Sequence, residues 1–287
     1  MFWYSNMHDK VERIYHSVIQ HGPHNDRVYV MKLAKQDLPI IFDYVDKLAK
    51  QNRYSKIFAK VPAWAVSTAA KKGYHCEAFI PKFFNGTTDG YFLGKYFNEK
   101  RKIIDEKSEK KIDQIKQTFQ KYKTRSFSTG IPNDIDIEQI TNENVDSLAK
   151  LYNSVFSSYP FPIHKQSYLE KMLENDVNYY GIFQQGRLVA ASAAEMEKEH
   201  SFVEMTDFAT LPSFRGNNYA FYLLQFMEKE MKKEKMSTAF TIARAVSYGM
   251  NITFAKAAYC YAGLLKNNTA IAGSLESMTV LYKKIAR

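Results

Sequence analysis

The sequence predicts an α/β protein with a mixed sheet, built as a smaller α/β unit followed by a larger one. Three observations predict this class. Apolar, β-rich runs alternate with segments of helical periodicity along most of the chain. Hydrophobic residues make up 45% and aromatic residues 15%, which is ample for packed cores. The length of 287 residues suits two domains of ordinary size.

The first part of the chain reads as a small α/β unit that ends in a hairpin. The predicted elements are a strand at 28–33, a helix at 37–52, a strand at 55–61, a helix at 62–72 and two strands within 75–97. A charged, glycine-free helix at 99–123 and a loop rich in Ser, Gly and Pro at 125–134 follow. We therefore expect domains at 1–99 and 131–287, joined by a connecting helix and linker at 100–130.

The second part has the predicted order β-α-α-β-β-β-α-β-α-β-β from residue 135 onward. Its landmarks are a hairpin turning at Gln185-Gly186, a central strand at 202–209, a helix at 247–261, and two last strands around a long connection. The run 55–97 repeats the order of the last four elements. This indicates a degenerate half copy without a cofactor of its own; an unrelated α/β cap is the alternative.

Composition argues against several classes of function. The net charge of +10 invites a nucleic-acid hypothesis, but half of it lies in residues 99–125, which reads as a solvated helix. Two cysteines and seven scattered histidines show no metal-ligand spacing, so we expect no metal and a reducing compartment. No signal peptide and no apolar run of about 18 residues is seen, which predicts a cytoplasmic protein without a membrane span.

The most informative stretch is a strand, a short loop and a helix between 202 and 235. Free backbone N–H groups in the first turn of a helix, together with the helix dipole, favour an anion. Gly216, Asn217, Asn218 and Ala220 let the backbone approach a phosphate, and Arg215 adds a charged donor. The expected ligand is a cofactor that contains a pyrophosphate.

This stretch, FATLPSFRGNNYA, resembles the acyl-CoA loop of the GNAT N-acetyltransferase superfamily. Asn218 stands where that family usually has a glycine, and Asn is the other residue that tolerates positive φ. The element order from 135 is the GNAT order. Longer strings, among them YPFP, DFATLP, TIARA, LKNNTAIAG, KIFAKVP and EAFIPKFF, are similar to the β-lysine N-acetyltransferase family over almost the full chain.

The resemblance implies transfer of an acetyl group from acetyl-CoA to the terminal (ε) amine of β-lysine, a small-molecule amine. The product would be the compatible solute N-ε-acetyl-β-lysine, an osmolyte, and a lysine 2,3-aminomutase would be the functional partner. Two alternatives stay open: a GNAT enzyme for another small amine or a protein lysine, and a non-catalytic module that binds acyl-CoA or nucleic acid. The oligomeric state also stays open, with a homodimer among the options.

The resemblance implies cofactor-binding and catalytic roles for particular residues. Glu204 stands where related enzymes carry a catalytic glutamate, and Asp207 lies three residues on. Their alternative role is to pair with the substrate amines or with a nearby basic side chain. Phe254 occupies the usual tyrosine position, and a phenyl ring cannot donate a proton to the thiolate. Tyr259 is the candidate donor, with Tyr261 and solvent as alternatives. The expected cofactor-binding residues are Phe208, Ala209, Thr210, Arg215, Gly216, Asn217, Asn218, Tyr219, Ala220, Asn251 and Phe254.

The acceptor has two amines and one carboxylate, so its pocket needs both acceptors and donors. Arg244 is a candidate for binding the carboxylate. The expected substrate-binding residues lie in the loop after the first helix of the second part and on the last strands: Tyr159, Phe161, Arg244, Asn267, Asn268 and Glu276.

Overall fold

The computed structural model describes residues 9–125, 127 and 130–286. The strands, in chain order, are β1 Lys10–Ile14, β2 Ser17–Gly22, β3 Arg27–Lys32, β4 Lys56–Pro62, β5 His75–Phe84, β6 Thr88–Tyr96, β7 Asp136–Gln139, β8 Val177–Gln184, β9 Arg187–Glu197, β10 Phe202–Thr210, β11 Thr238–Arg244, β12 Cys260–Ile271 and β13 Ser274–Lys284. The helices are α1 Ile40–Gln51, α2 Ala63–Lys71, α3 Glu106–Lys123, α4 Val145–Val155, α5 Gln166–Leu173, α6 Tyr219–Lys233 and α7 Tyr248–Lys256.

The strands of the described residues join one mixed sheet, 13 strands in the order β1-β2-β3-β4-β6-β5-β12-β13-β11-β10-β9-β8-β7. The two parts of the chain follow the same plan: a hairpin, a parallel pair (β3 with β4, β10 with β11) and a closing hairpin. The α/β class with a mixed sheet is confirmed. The domain boundaries at 99, 100–130 and 131 remain a prediction.

The halves meet edge to edge between β5 and β12, where Gly263 pairs with Ala78. A Cβ on Gly263 would lie 2.1 Å from the Glu77 carbonyl oxygen, so only glycine allows this approach. Beside the junction, the buried Arg101 guanidinium donates to Asn267 O at 2.6 Å and to Asn25 O at 2.8 Å. Sheet pairing and buried donors together fix one half against the other.

Three apolar cores hold the structure. One packs α4, α6 and α7 against the sheet of the second half, and one packs α1 and α2 against the first half. The third lies where the halves meet and is rich in aromatic side chains; Phe83 of β5 stacks on Phe202 of β10 with ring centroids 4.4 Å apart. The third core forms the base of the cavity described below.

The sequence predictions for individual elements were mostly confirmed, with three exceptions. The hairpin β1–β2 was missed, because β2 buries two polar residues, Gln20 and His21, which hides its strand pattern; His21 pairs with Glu12. The helix predicted at 247–261 ends at Lys256, since Ala258 has a φ of 63° and β12 begins at Cys260.

The last two strands are joined by a tight turn and not by the predicted long connection. Ala272 and Gly273 both have positive φ, as a two-residue hairpin turn requires. Parts of the predicted N-terminal segment and linker, residues 1–8, 126, 128 and 129, lie outside the described residues. Within the described ranges, no helix is both long and apolar enough to cross a membrane.

Candidate active site

The central strand β10 is deformed where the sequence predicts chemistry. Asp207 has a φ of 55°, and the register with β9 shifts between Thr206 and Ala209, which is a β-bulge. On its other side, β10 pairs with β11 only from Phe202 to Glu204. The two parallel strands therefore diverge, and the backbone from Met205 to Thr210 has no strand partner on that side within the described chain.

The loop that follows β10 leads to the N-terminus of α6. Gly216 has a φ of 92° and Asn218 a φ of 58°, so Asn218 takes the left-handed conformation expected of it. In the described part of the chain, the backbone N–H groups of 216–220 have no hydrogen-bond acceptor. Nothing lies within 4 Å of a Cβ built on Gly216. The turn is thus open and rich in free donors, with Arg215 exposed beside it.

A cavity of about 370 Å³ lies beside the divergence of β10 and β11, a size that suits a small molecule. Both halves of the chain line it. The second half contributes β9, β10, β11 and the loop with Tyr159 and Phe161. The first half contributes a wall on β3 and β4: Arg27, Tyr29, Met31, Lys32, Phe58 and Lys60.

Acidic side chains dominate one face of this cavity. Glu204 on β10 lies directly opposite Glu195 on β9, so the two side chains are neighbours on one face of the sheet. Glu195 is accessible from within the cavity, Glu204 is half-buried and Asp207 is buried. None of the three forms an ion pair with a described residue. Glu197, also in the lining, pairs with Lys32 at 2.5 Å.

Desolvation raises the pKa of each of these three carboxyl groups. The pKa of Glu204 rises to about 7, because burial and the Asp207 charge outweigh the opposing charge of Lys60. Burial likewise raises the pKa of Asp207, against hydrogen bonds from Tyr159 and Thr206. Glu195 is exposed only toward the cavity, whose walls desolvate its carboxyl group; this desolvation, and then the charges of Asp207 and Glu204, raise its pKa well above the usual range. The cluster is suited to holding or accepting protons near neutral pH.

Cations also line the cavity, and three of the four are already engaged. Arg27 donates to Asn268 O and Thr269 Oγ1. Arg244 forms a two-pronged ion pair with Glu276, with Nε to Oε2 at 2.8 Å and Nη2 to Oε1 at 2.5 Å. Lys32 pairs with Glu197 as described. The Lys60 ammonium has no hydrogen bond or ion pair with the part of the chain that the structure describes.

The structure brings several predicted site residues to this cavity. Its lining includes Glu204, Asp207, Phe208, Tyr159, Phe161, Arg244 and Asn268. Tyr159 donates a hydrogen bond from its hydroxyl to Asp207 Oδ1, which ties the α4–α5 loop to the bulge of β10. Asn268 is buried, and its Oδ1 has no partner among described residues.

Three other predicted site residues, Asn251, Phe254 and Asn267, make contacts within the protein itself. Asn251 donates to Arg244 O at 3.0 Å and Ser247 O at 2.8 Å, so it shapes the turn between β11 and α7. Phe254 is fully buried and packs edge-on against Phe208. Asn267 donates to Arg101 O and Ile103 O and is absent from the cavity lining.

Two predicted roles need correction. Tyr259 is fully buried and packs on Phe254; burial, and then the charge of nearby Glu228, raise its pKa. It does not line the cavity, so it does not fit a proton donor to the thiolate. Arg244 lines the cavity, but its guanidinium is already paired with Glu276, so it is a poor anchor for the acceptor carboxylate.

Sequence reasoning missed Glu195 and the entire wall from the first half. Glu195 had a usable signal, because the hairpin β8–β9 precedes β10 and antiparallel pairing places Glu195 opposite Glu204. Lys60 and Tyr29 had no such signal, since their approach to β10 depends on how the two halves pack.

The chain is similar to known acetyltransferases over most of its length. It is 38% identical over 280 residues to the β-lysine N(6)-acetyltransferase of Methanococcus maripaludis, covering 96% of this chain and 98% of that protein. This chain belongs to the β-lysine N-acetyltransferase family. The N-acetyltransferase YodP of Bacillus subtilis is 30% identical (94% of this chain, 96% of that protein), and the β-lysine N(6)-acetyltransferase of Methanosarcina mazei 26% identical (81% and 92%).

The Acetyltransferase (GNAT) family model matches residues 144–251, which run from the start of α4 to within α7. The protein is therefore a GNAT acetyltransferase and uses acetyl-CoA. The open turn before α6 fits the cofactor's phosphates, because it offers free N–H groups, Arg215 and room at Gly216. The divergence of β10 from β11 leaves backbone free beside the cavity, where an extended thioester arm can lie.

Proposed function

We propose that this enzyme transfers the acetyl group of acetyl-CoA directly to the ε-amine of β-lysine, giving N-ε-acetyl-β-lysine. One observation carries the choice of acceptor. The cavity presents three acidic side chains without a cationic partner and one ammonium without an anionic partner within the described chain. β-Lysine carries two cationic amines and one carboxylate, so its charges complement this set. Two relatives named for the same acceptor support the assignment.

We assign cofactor binding to two segments. The turn Arg215–Ala220, with Gly216, Asn217, Asn218 and Tyr219, holds the pyrophosphate through free N–H groups and the Arg215 charge. Phe208, Ala209 and Thr210, at the bulge, hold the thioester arm with their backbone, and Asn251 and Phe254 support the same wall. When bound, acetyl-CoA supplies an activated carbonyl carbon for attack by the amine.

The carboxylate cluster handles the proton of the acceptor. A primary ammonium with a pKa near ~10.4 must lose a proton before its nitrogen can attack. Glu204, with Asp207 and Glu195 nearby, accepts it. The rise in the pKa of Glu204 from 4.5 to about 7 makes this transfer about 3 kcal/mol less unfavourable than transfer to an ordinary glutamate. Tyr159 keeps Asp207 in place through its hydrogen bond.

The family resemblance supports a particular setting for the reaction. We propose that a lysine 2,3-aminomutase supplies the β-lysine and that both enzymes work in the cytoplasm, where the product serves as a compatible solute. Self-association as a homodimer is not required by the cavity, since both of its walls come from one chain.

The test is a comparison of acceptors. Purified protein with acetyl-CoA is offered β-lysine, α-lysine, a diamine or a lysine-containing peptide, and free thiol and product mass are followed. We expect turnover to be fastest with β-lysine, with the acetyl group on the ε-nitrogen by fragmentation. Faster turnover of the peptide or the diamine would refute the proposed acceptor, and CoA binding without turnover would favour a non-catalytic module.

A further inference from the structure

We propose that Lys60, on β4 of the first half, binds the carboxylate of the acceptor and so selects amino acids over diamines. This inference rests on the proposed function, because it names the residue that recognises one group of that acceptor. It also gives the first half a role in substrate choice.

Lys60 reaches across the cavity to the strand that carries the acidic cluster. Its Nζ lies 4.7 Å from the ring centroid of Phe202 and 5.3 Å from that of Phe240. Phe202 is two residues before Glu204 on the same face of β10, and Phe240 is the register partner of Glu204 on β11. The ammonium therefore lies at the level of the start of β10, on the side of the cavity away from the bulge.

The spacing suits the length of the acceptor. About four residues of strand separate the level of Lys60 from Asp207, or roughly 13 Å at about 3.3 Å per residue. Extended β-lysine spans roughly 7–8 Å from carboxylate to ε-nitrogen, and a hydrogen bond of about 2.8 Å at each end brings the total to the same range. A carboxylate held at Lys60 thus leaves the ε-amine beside Asp207 at the bulge, where we place the thioester, and the proton of the ε-ammonium passes to Glu204 through water.

Lys60 is the lining cation that remains for this role. The guanidinium of Arg27 donates to β12, Arg244 is paired with Glu276 and Lys32 with Glu197. Burial lowers the pKa of Lys60, against the charges of Glu204, Glu197 and Glu195, which favour its protonated form. Within the described chain, Lys60 contacts two aromatic rings but forms no ion pair. A half-buried cation without an anionic partner is costly, and an incoming carboxylate offsets that cost.

A matched pair of acceptors isolates the contact. 1,4-Diaminopentane has the two amines of β-lysine at the same spacing and lacks only the carboxylate. We expect wild type to prefer β-lysine in kcat/KM. Lys60→Met should lower kcat/KM for β-lysine by about 10- to 100-fold, mainly through KM, because a charge-assisted hydrogen bond is lost. The same variant should change kcat/KM for the diamine by less than about threefold.

Two further variants complete the design. Lys60→Arg retains the charge and should keep most of the preference, whereas Lys47→Met, on the exposed face of α1, makes the same substitution far from the cavity and should behave as wild type. Equal loss for both acceptors with a shifted pH profile would overturn the assignment, since Lys60 would then act through Glu204. A retained preference in Lys60→Met would also overturn it. Absence of turnover in wild type would instead refute the proposed function.

Discussion

Replacing Glu204 by glutamine tests whether Glu204 is the proton acceptor, because the amide keeps the shape of the side chain and removes its charge. Glu204 lies opposite Glu195, and burial raises its pKa to about 7. A base must be deprotonated to work, and kcat/KM reports the pKa of the free enzyme, so wild-type kcat/KM should rise with pH up to about 7. In Glu204→Gln we expect kcat to fall by about 10²- to 10⁴-fold and this inflection to disappear.

Glu204→Gln should also be more stable than wild type at alkaline pH. The folded-state pKa of Glu204 is raised above the ordinary 4.5, so its contribution is lost as pH rises from 4.5 through about 7. Above that range the ionised carboxylate costs up to about 3 kcal/mol, and the amide removes this cost. Thermal denaturation at pH 8 should therefore show a Tm above that of wild type by up to roughly 6–12 °C, and the gap should close near pH 5.

Glu143→Gln, at an exposed position before α4, is the matched control and should alter neither property. The assay combines initial rates of thiol release between pH 5.5 and 9 with thermal denaturation of both variants. A Glu204→Gln enzyme that keeps wild-type kcat and the inflection in kcat/KM would refute the role of Glu204. An unchanged Tm at pH 8 would refute the buried, proton-accepting environment itself.

Three other substitutions probe separate parts of the site. Arg215→Ala should raise KM for acetyl-CoA about tenfold with little change in kcat, since it removes one charged donor to the phosphates; an unchanged KM would argue against that contact. Tyr259→Phe should keep kcat within about twofold, because its hydroxyl is outside the cavity lining. A large loss of kcat would instead show that Tyr259 protonates the thiolate. Gly263→Ala should lower Tm markedly and raise KM for the acceptor, because its Cβ would lie 2.1 Å from Glu77 O at the junction of the halves; a stable variant would contradict that packing.

Much of the fold could be predicted because its local signals agree. The hairpin at Gln185-Gly186 was found from its turn residues, which both have positive φ in the structure. The missed hairpin β1–β2 and the over-long α7 show the limit of such signals. In both places, side-chain pairing or a strand partner distant in sequence decided the outcome, and neither is visible in a local pattern.

By itself, the sequence determined the α/β class, the element order of the second half and the open turn before α6, because each depends on residues within a few positions of one another. The sequence also indicated the family, through short matching segments spread along the chain. The cavity was decided only by tertiary structure. Lys60 and Glu204 are far apart in sequence, and they line one cavity because β5 joins β12 at Gly263 and the aromatic core packs β4 over β10. The raised pKa of Glu204 has the same origin, since burial by both halves removes the water that would otherwise stabilise its charge.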